Sequence, residues 1–173
     1  MKIISFNNDV LPLKNQLYRL ALRITLNRQD AEDIVQETLI KIWNRRENWD
    51  KIESLEAYSL KICRNFALDC LRKKKSDVMT IESAEQNGTA ETIGTSETTD
   101  QILQRDKIRM VQNLINSLPE KQKTVLQLRD FEGKTYKEIA LILGISEEQV
   151  KVNIFRARQA IKSKYEQIED YGL

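Results

Sequence analysis

The chain has no histidine, and only two cysteines, two prolines and five glycines occur along its 173 residues. Without histidine it lacks the side chain most often used for proton transfer near neutral pH, and the commonest nitrogen ligand for metals. Cys63 and Cys70 fall on one face of a helix but two turns apart, too far to bridge each other. No CxxC pair is present, so a zinc site is not expected and the two thiols are read as reduced groups at or near a core. No GxSxG elbow, phosphate-cradling glycine loop or paired-carboxylate motif occurs either. The expectation is a protein with no catalytic residue, metal, cofactor or small-molecule substrate. There is no run of about 18 apolar residues, the length a membrane helix needs. The opening MKIISFNNDVLPLKN has neither the long apolar stretch nor the cleavage site of a secretory leader. A cytoplasmic chain with no direct membrane insertion is expected.

What is present is helical patterning and a divided charge. Hydrophobic residues make up 40% and charged residues 31%, which suits one or two small soluble domains. The net charge of +2 hides three blocks. Residues 1–75 carry 15 basic and 10 acidic residues, 76–104 carry no basic and six acidic, and 105–173 carry 13 basic and 10 acidic. Two basic segments flanking an acidic one suggest two modules that face polyanions.

The clearest local signal is KTYKEIALILGISEEQVKVNIFRARQAIKSK, Lys134 to Lys164. Thr135 with Glu138 forms a capping box, and Tyr136, Ile139, Ala140 and Leu143 follow at helical spacing. Gly144 supplies the left-handed residue that ends a helix, and Ser146 with Gln149 starts the next by a second capping box. Val150, Ile154, Ala157 and Ile161 form the inward stripe of that second helix, while Lys151, Arg156, Arg158, Lys162 and Lys164 lie off it. Glu147 and Glu148 sit in the first turn, where the helix dipole favours acids. A short helix, a glycine turn and a second helix with a basic outer face predict a helix-turn-helix, whose second helix enters the major groove. The competing reading is a helical hairpin with a solvated basic face.

Upstream, Leu13, Leu17, Leu20, Ala21 and Ile24 predict a helix over about 10–26. Asn27 can cap a second, Asp30 to about Arg46, with Ala31, Ile34, Val35, Leu39, Ile42 and Trp43 inward and Glu32, Asp33, Gln36 and Glu37 outward. On periodicity alone that acidic patch reads as a solvated face. After a break at Asn48–Asp50, Ser54 caps a long helix to about Lys74. Its inward residues are Leu55, Tyr58, Ile62, Ala67 and Leu71; Lys61, Arg64, Asn65, Asp69, Arg72 and Lys73 form a largely basic opposite face, able to track a nucleic-acid backbone. Residues 76–101, rich in Ser, Thr, Glu and Gly, read as a flexible acidic linker. Such a length reaches about 85 Å fully extended and averages about 25–30 Å as a coil. That reach matters because two DNA sites two helical turns apart are roughly 70 Å from one another. In 102–173, Ile108, Val111, Leu114, Ile115 and Leu118 predict a helix; Pro119 opens the next at its first position, with Val125, Leu126, Leu128 and Phe131 inward and Gly133 as its stop. The fold class is all-α: two small helical bundles joined by a tether.

These two modules together resemble an RNA polymerase sigma factor of the extracytoplasmic-function group (group IV) of the sigma-70 family. The resemblance rests on DAEDIVQETLIKIW at Asp30–Trp43, the ICRNFALDCLRKKK helix, LPEKQKTVLQLRDFEGKTYKEIALILGIS and VKVNIFRARQAIK, and covers nearly the whole chain. It implies that 1–75 is region 2, which binds core RNA polymerase and the promoter −10 element, and that 102–173 is region 4, which reads the −35 element. Glu32, Asp33, Gln36 and Glu37 would then be the core-polymerase face, against the solvated-face reading. Lys61, Arg64, Asn65, Asp69, Arg72 and Lys73 would face the −10 DNA, and Ser146, Gln149, Lys151, Val152, Asn153, Arg156 and Arg158 the −35 element. Related recognition helices often read T-V-K-S-R where this chain has Gln149–Asn153, so Asn153 replaces a basic residue and is suited to an adenine edge. Aromatics near the −10 face are few, Tyr58 and Trp49, which predicts modest melting power. The resemblance also implies an anti-sigma factor as a partner. The alternatives are a dimeric helix-turn-helix regulator independent of core polymerase, which requires a palindromic site, and a helical adaptor without DNA affinity.

Overall fold

The computed structural model describes residues 3–80 and 98–170, apart from the side chains of residues 79 and 80, and every regular element among them is helical. A wide turn at Phe6–Val10 and a 3-10 turn at Leu11–Leu13 lead into α1 (Lys14–Thr25). Next come α2 (Arg28–Asn44), a 3-10 turn at Arg46–Lys51 and α3 (Leu55–Thr80). Then follow α4 (Thr99–Asn116), α5 (Glu120–Leu126) with a wide turn at Gln127–Phe131, α6 (Tyr136–Leu143) and α7 (Glu147–Asp170). The expected linker over 76–101 lies mostly outside the described residues; at its margins, 76–80 continue α3 and 99–101 belong to α4.

In the first module α1, α2 and α3 pack on one another, because each carries an apolar stripe at helical spacing. Leu17, Leu20, Ala21 and Ile24 of α1 meet Ala31, Ile34 and Val35 of α2 and Leu60, Cys63 and Ala67 of α3. Asn27 caps α2 as expected, its side-chain oxygen accepting from the Asp30 amide at 3.0 Å. A second cluster, Val10, Ile42, Trp49 and Ile62, closes the other end. Trp49 is buried there, its indole N–H donating to the Ile42 carbonyl at 2.9 Å. It is therefore not one of the exposed stacking groups that the sequence suggested. Trp43, assigned to the core stripe, is instead 43% exposed and lies edge-on to Phe6 and Trp49.

In the second module α7 is the common partner of α4, α5 and α6. Ile115, Leu118, Leu126 and Ala157 form one cluster. Two expected core residues stand outside: Ile108 is 57% and Phe131 55% exposed. Pro119 is the residue before α5 rather than its first position. The modules are not separate in this arrangement. The helix α6 lies on α3, and Val125, Leu128, Ile139 and Ile142 join the same buried cluster as Leu60 and Cys63.

Candidate nucleic-acid interface

The helix-turn-helix is built by the residues that announced it. The Thr135 hydroxyl accepts from the Glu138 amide (3.2 Å), and the Glu138 carboxylate accepts from the Thr135 amide (2.8 Å). Gly144 takes φ +67° and donates its N–H to the Ala140 carbonyl at 2.9 Å. Ser146 and Gln149 form the second reciprocal box, both bonds 3.1 Å. Val150, Ile154 and Ala157 are buried, which fixes the rotation of α7 and turns Lys151, Val152, Phe155 and Arg156 to solvent. Phe155 is 64% exposed and was missed at the level of sequence. Its position off the Val150–Ile154–Ala157 stripe is the signal that marks it.

The other candidates on α7 have local duties. Ser146 and Gln149 are the cap. The Asn153 side-chain amide donates to the Gln149 carbonyl at 2.8 Å. Lys151 stands over the Tyr136 ring at 5.7 Å, and Arg129 stacks on the same ring at 4.7 Å. Arg158 donates to both oxygens of Asp130, at 2.6 and 3.4 Å, which holds its guanidinium above the ordinary arginine range. Lys151, Val152, Phe155 and Arg156 thus make up the open part of this face.

On α3, Lys61, Asn65, Asp69, Arg72 and Lys73 are exposed, with Arg72 and Asp69 paired at 3.3 Å. Arg64 differs. Its guanidinium is 13% exposed and donates to both oxygens of Glu120 on α5, at 3.2 and 2.9 Å. The sequence placed it on an open face, but it lies in the seam between the modules. Tyr58 is half-buried and its hydroxyl accepts from Arg45 at 2.9 Å. Lys74 pairs with Asp30, which raises its ammonium above the ordinary lysine range.

On α2, Glu32, Asp33, Gln36 and Glu37 are all exposed and form one acidic surface. Glu32 and Gln36 edge a groove between α1 and α2 floored by Val35 and Leu39. Ile40, 60% exposed, extends this surface with an apolar end.

The seam itself contains residues that sequence reasoning did not single out. Arg19 of α1 donates to both oxygens of Glu132, at 2.6 and 2.9 Å, and is raised by that bond. Arg23 donates to Gln127 at 3.1 Å, stands over Phe131 at 5.3 Å, and is lowered by burial. Lys123, buried close by, is lowered by desolvation, then raised somewhat by Glu120 and lowered by Arg23. Lys134 pairs with Glu56. Among the described residues no cluster of three or more His, Cys, Asp or Glu stands together to hold a metal, and no helix is long and apolar enough to cross a membrane.

Comparison with known proteins follows the same two-part division. Residues 10–76 match the family model described as Sigma-70 region 2, and residues 108–161 that described as Sigma-70, region 4. RNA polymerase sigma-H factor of Pseudomonas aeruginosa is 32% identical over 163 residues, covering 91% of this chain and 84% of that protein. The ECF RNA polymerase sigma factor SigW of Bacillus subtilis is 30% identical over 158 residues, covering 87% and 83%. Among solved structures, the sigma factor RpoE in complex with the anti-sigma factor NepR from Bartonella quintana shares the fold, with a TM-score of 0.72, 23% identity, and coverage of 91% of this chain and 94% of that one. A dimeric regulator is not favoured, because the likeness runs through both modules and not through the helix-turn-helix alone. With a region 2 fold, a region 4 helix-turn-helix and these relatives, the chain belongs to the extracytoplasmic-function RNA polymerase sigma factors of the sigma-70 family.

Proposed function

We propose that the chain divides its work as 1–75 for core polymerase and the −10 element, 76–101 as the tether, and 102–173 for the −35 element. As a sigma factor it binds core RNA polymerase and directs promoter-specific initiation; such factors are initiation factors rather than catalysts. The observation that carries the division is the pairing of unlike faces in one small module. Glu32, Asp33, Gln36 and Glu37 make α2 acidic, while Lys61, Arg72 and Lys73 make the exposed side of α3 basic. The acidic face is assigned to a basic surface of core polymerase, with Ile40 and Trp43 adding apolar contact at its end. The basic face, with Asn65, Asp69 and Arg64, is assigned to the −10 strand. On α7, Lys151 and Arg156 are assigned to phosphates, and Val152 and Phe155 to apolar contact with bases, such as a thymine methyl. Ser146 and Gln149 orient the helix start, and Asn153 and Arg158 reach DNA only if they exchange the Gln149 carbonyl and Asp130 for it. An anti-sigma factor is the third partner, and it works by covering one of these faces.

The test is binding of the full chain to purified core polymerase. Asp33→Lys with Glu37→Lys, both exposed, should leave the fold intact and weaken binding by about 100-fold or more, the scale for reversing charges at a steered interface. Unchanged affinity would remove the α2 face from the account.

A further inference from the structure

We propose that this chain reads its −35 element chiefly through the 5-methyl groups of pyrimidines, with Val152 and Phe155 as the specificity-determining pair. The inference rests on the assignment of α7 to the −35 element made above. It starts from the side chains that are already engaged. Two-pronged reading of an adenine edge needs both the oxygen and the nitrogen of an Asn or Gln amide, and two-pronged reading of guanine needs both arms of an arginine. The Gln149 side-chain oxygen accepts from the Ser146 amide at 3.1 Å, and the Asn153 side-chain nitrogen donates to the Gln149 carbonyl at 2.8 Å. The Ser146 hydroxyl accepts from the Gln149 amide, and Arg158 has both arms on Asp130. Each of these residues turns fully to a base only by giving up a bond that caps or braces α7.

What stays open between them is apolar. Val152 is 45% and Phe155 64% exposed, and both lie in the first half of α7, the part of a recognition helix that meets base edges. Residues three apart on a helix have Cβ atoms about 5–6 Å from one another. Base pairs rise by about 3.4 Å, so the two side chains span one to two base steps. Beside the Phe155 ring, Tyr136, Lys151, Ile154 and Phe155 wall a pocket of about 300 Å³, which gives a methyl room to enter. The thymine methyl is the apolar feature of the major groove, and 5-methylcytosine presents the same group at the same ring position. Lys151 and Arg156, given to phosphates above, flank the pair and hold α7 in the groove. Gln159 is also exposed on this side, but it lies about 10 Å beyond Val152 along the helix axis, past the end that enters the groove.

The experiment uses the complex of the full chain with purified core polymerase, and a labelled promoter duplex from upstream of the chain's own reading frame. The −10 element is left unaltered. Equilibrium binding compares three versions of the −35 element: natural, with every thymine replaced by deoxyuridine, and scrambled. Deoxyuridine removes the methyl and keeps every hydrogen-bonding group of the base, so the comparison isolates apolar contact. Each contacted methyl that is lost should weaken binding by about fourfold, the worth of one buried carbon of this kind. Where deoxyuridine weakens binding, 5-methylcytosine at that position should bind more tightly than cytosine by a similar factor. Val152→Ala/Phe155→Ala should bind the natural duplex more weakly and no longer distinguish thymine from deoxyuridine. Lys151→Ala, aimed at a phosphate, should weaken both forms alike. Equal affinity of wild type for the thymine and deoxyuridine forms, with the natural element still preferred over the scrambled one, overturns methyl reading and leaves the −35 assignment standing. A preference for thymine that survives in Val152→Ala/Phe155→Ala overturns the role of this pair and gives the effect to DNA shape. Equal binding of natural and scrambled elements overturns the assignment of α7 itself, and the inference with it.

Discussion

Gly144 ends the first helix of the helix-turn-helix, and the cost of replacing it can be worked out in advance. Its φ of +67° lies in the left-handed region, and a Cβ built there meets no atom within 4 Å. Gly144→Ala therefore pays for backbone conformation alone. That strain is about 1–2 kcal/mol for an L-residue, and the smaller entropy of the unfolded alanine chain offsets about 0.4–1 kcal/mol of it. The net loss is about 1 kcal/mol, or roughly 0.5 M in the urea midpoint for a slope of about 2 kcal/mol/M. Gly144→Asn should lose less, since asparagine tolerates this region. Leu26 offers the reverse experiment: it ends α1 at φ 54° and is 57% exposed, so Leu26→Gly should stabilise by a similar amount. The assay is urea unfolding followed by circular dichroism, with the slope unchanged. A loss above about 3 kcal/mol for Gly144→Ala, or Asn no better than Ala, would refute the argument that only the dihedral matters.

Further outcomes follow from named groups. Burial pushes the Cys63 thiol up to about 12 from an ordinary 9.0, and its S–H donates to the Leu17 carbonyl at 3.3 Å. Native protein should therefore react with a thiol reagent at half-buried Cys70 before Cys63. Because the folded thiol holds its proton longer than the unfolded one, this contribution is fully present below about pH 9 and is lost as pH rises toward 12; Cys63→Ala should flatten that alkaline fall in stability. On the DNA side, Lys151→Ala and Arg156→Ala should each lower the slope of log affinity against log salt by about 1 for a −35 duplex. Arg158→Ala should lower it less, because Asp130 already holds that guanidinium; an equal drop would show that the pair opens on DNA.

Much of this fold was legible from local rules. Both capping boxes, the Gly144 turn and the Val150–Ile154–Ala157 stripe follow from residues within a few positions of each other, and they form as read. The long-range pairings were not legible. Arg64 reads as an open basic residue from its own helix, and only a partner 56 residues away draws it into the seam. Phe131 and Ile108 sit at core spacing yet face outward, since periodicity names a stripe and not the neighbour that covers it. Trp43 and Trp49 exchanged roles for a related reason. The 3-10 turn at Arg46–Lys51 folds Trp49 back under Ile42 and leaves Trp43 at the rim. The likeness in sequence supplied what periodicity lacked, a reason to read the acidic face of α2 as more than solvated.

The central claim is that this chain turns core polymerase toward a promoter through unlike faces of one small module. Run-off transcription with purified core polymerase, on DNA from upstream of the chain's own reading frame, tests it directly. The account predicts a discrete transcript that requires the chain, is lost with Asp33→Lys/Glu37→Lys, and is retained with the charge-matched Glu47→Gln/Glu53→Gln. A transcript of equal strength from the α2 variant would contradict it.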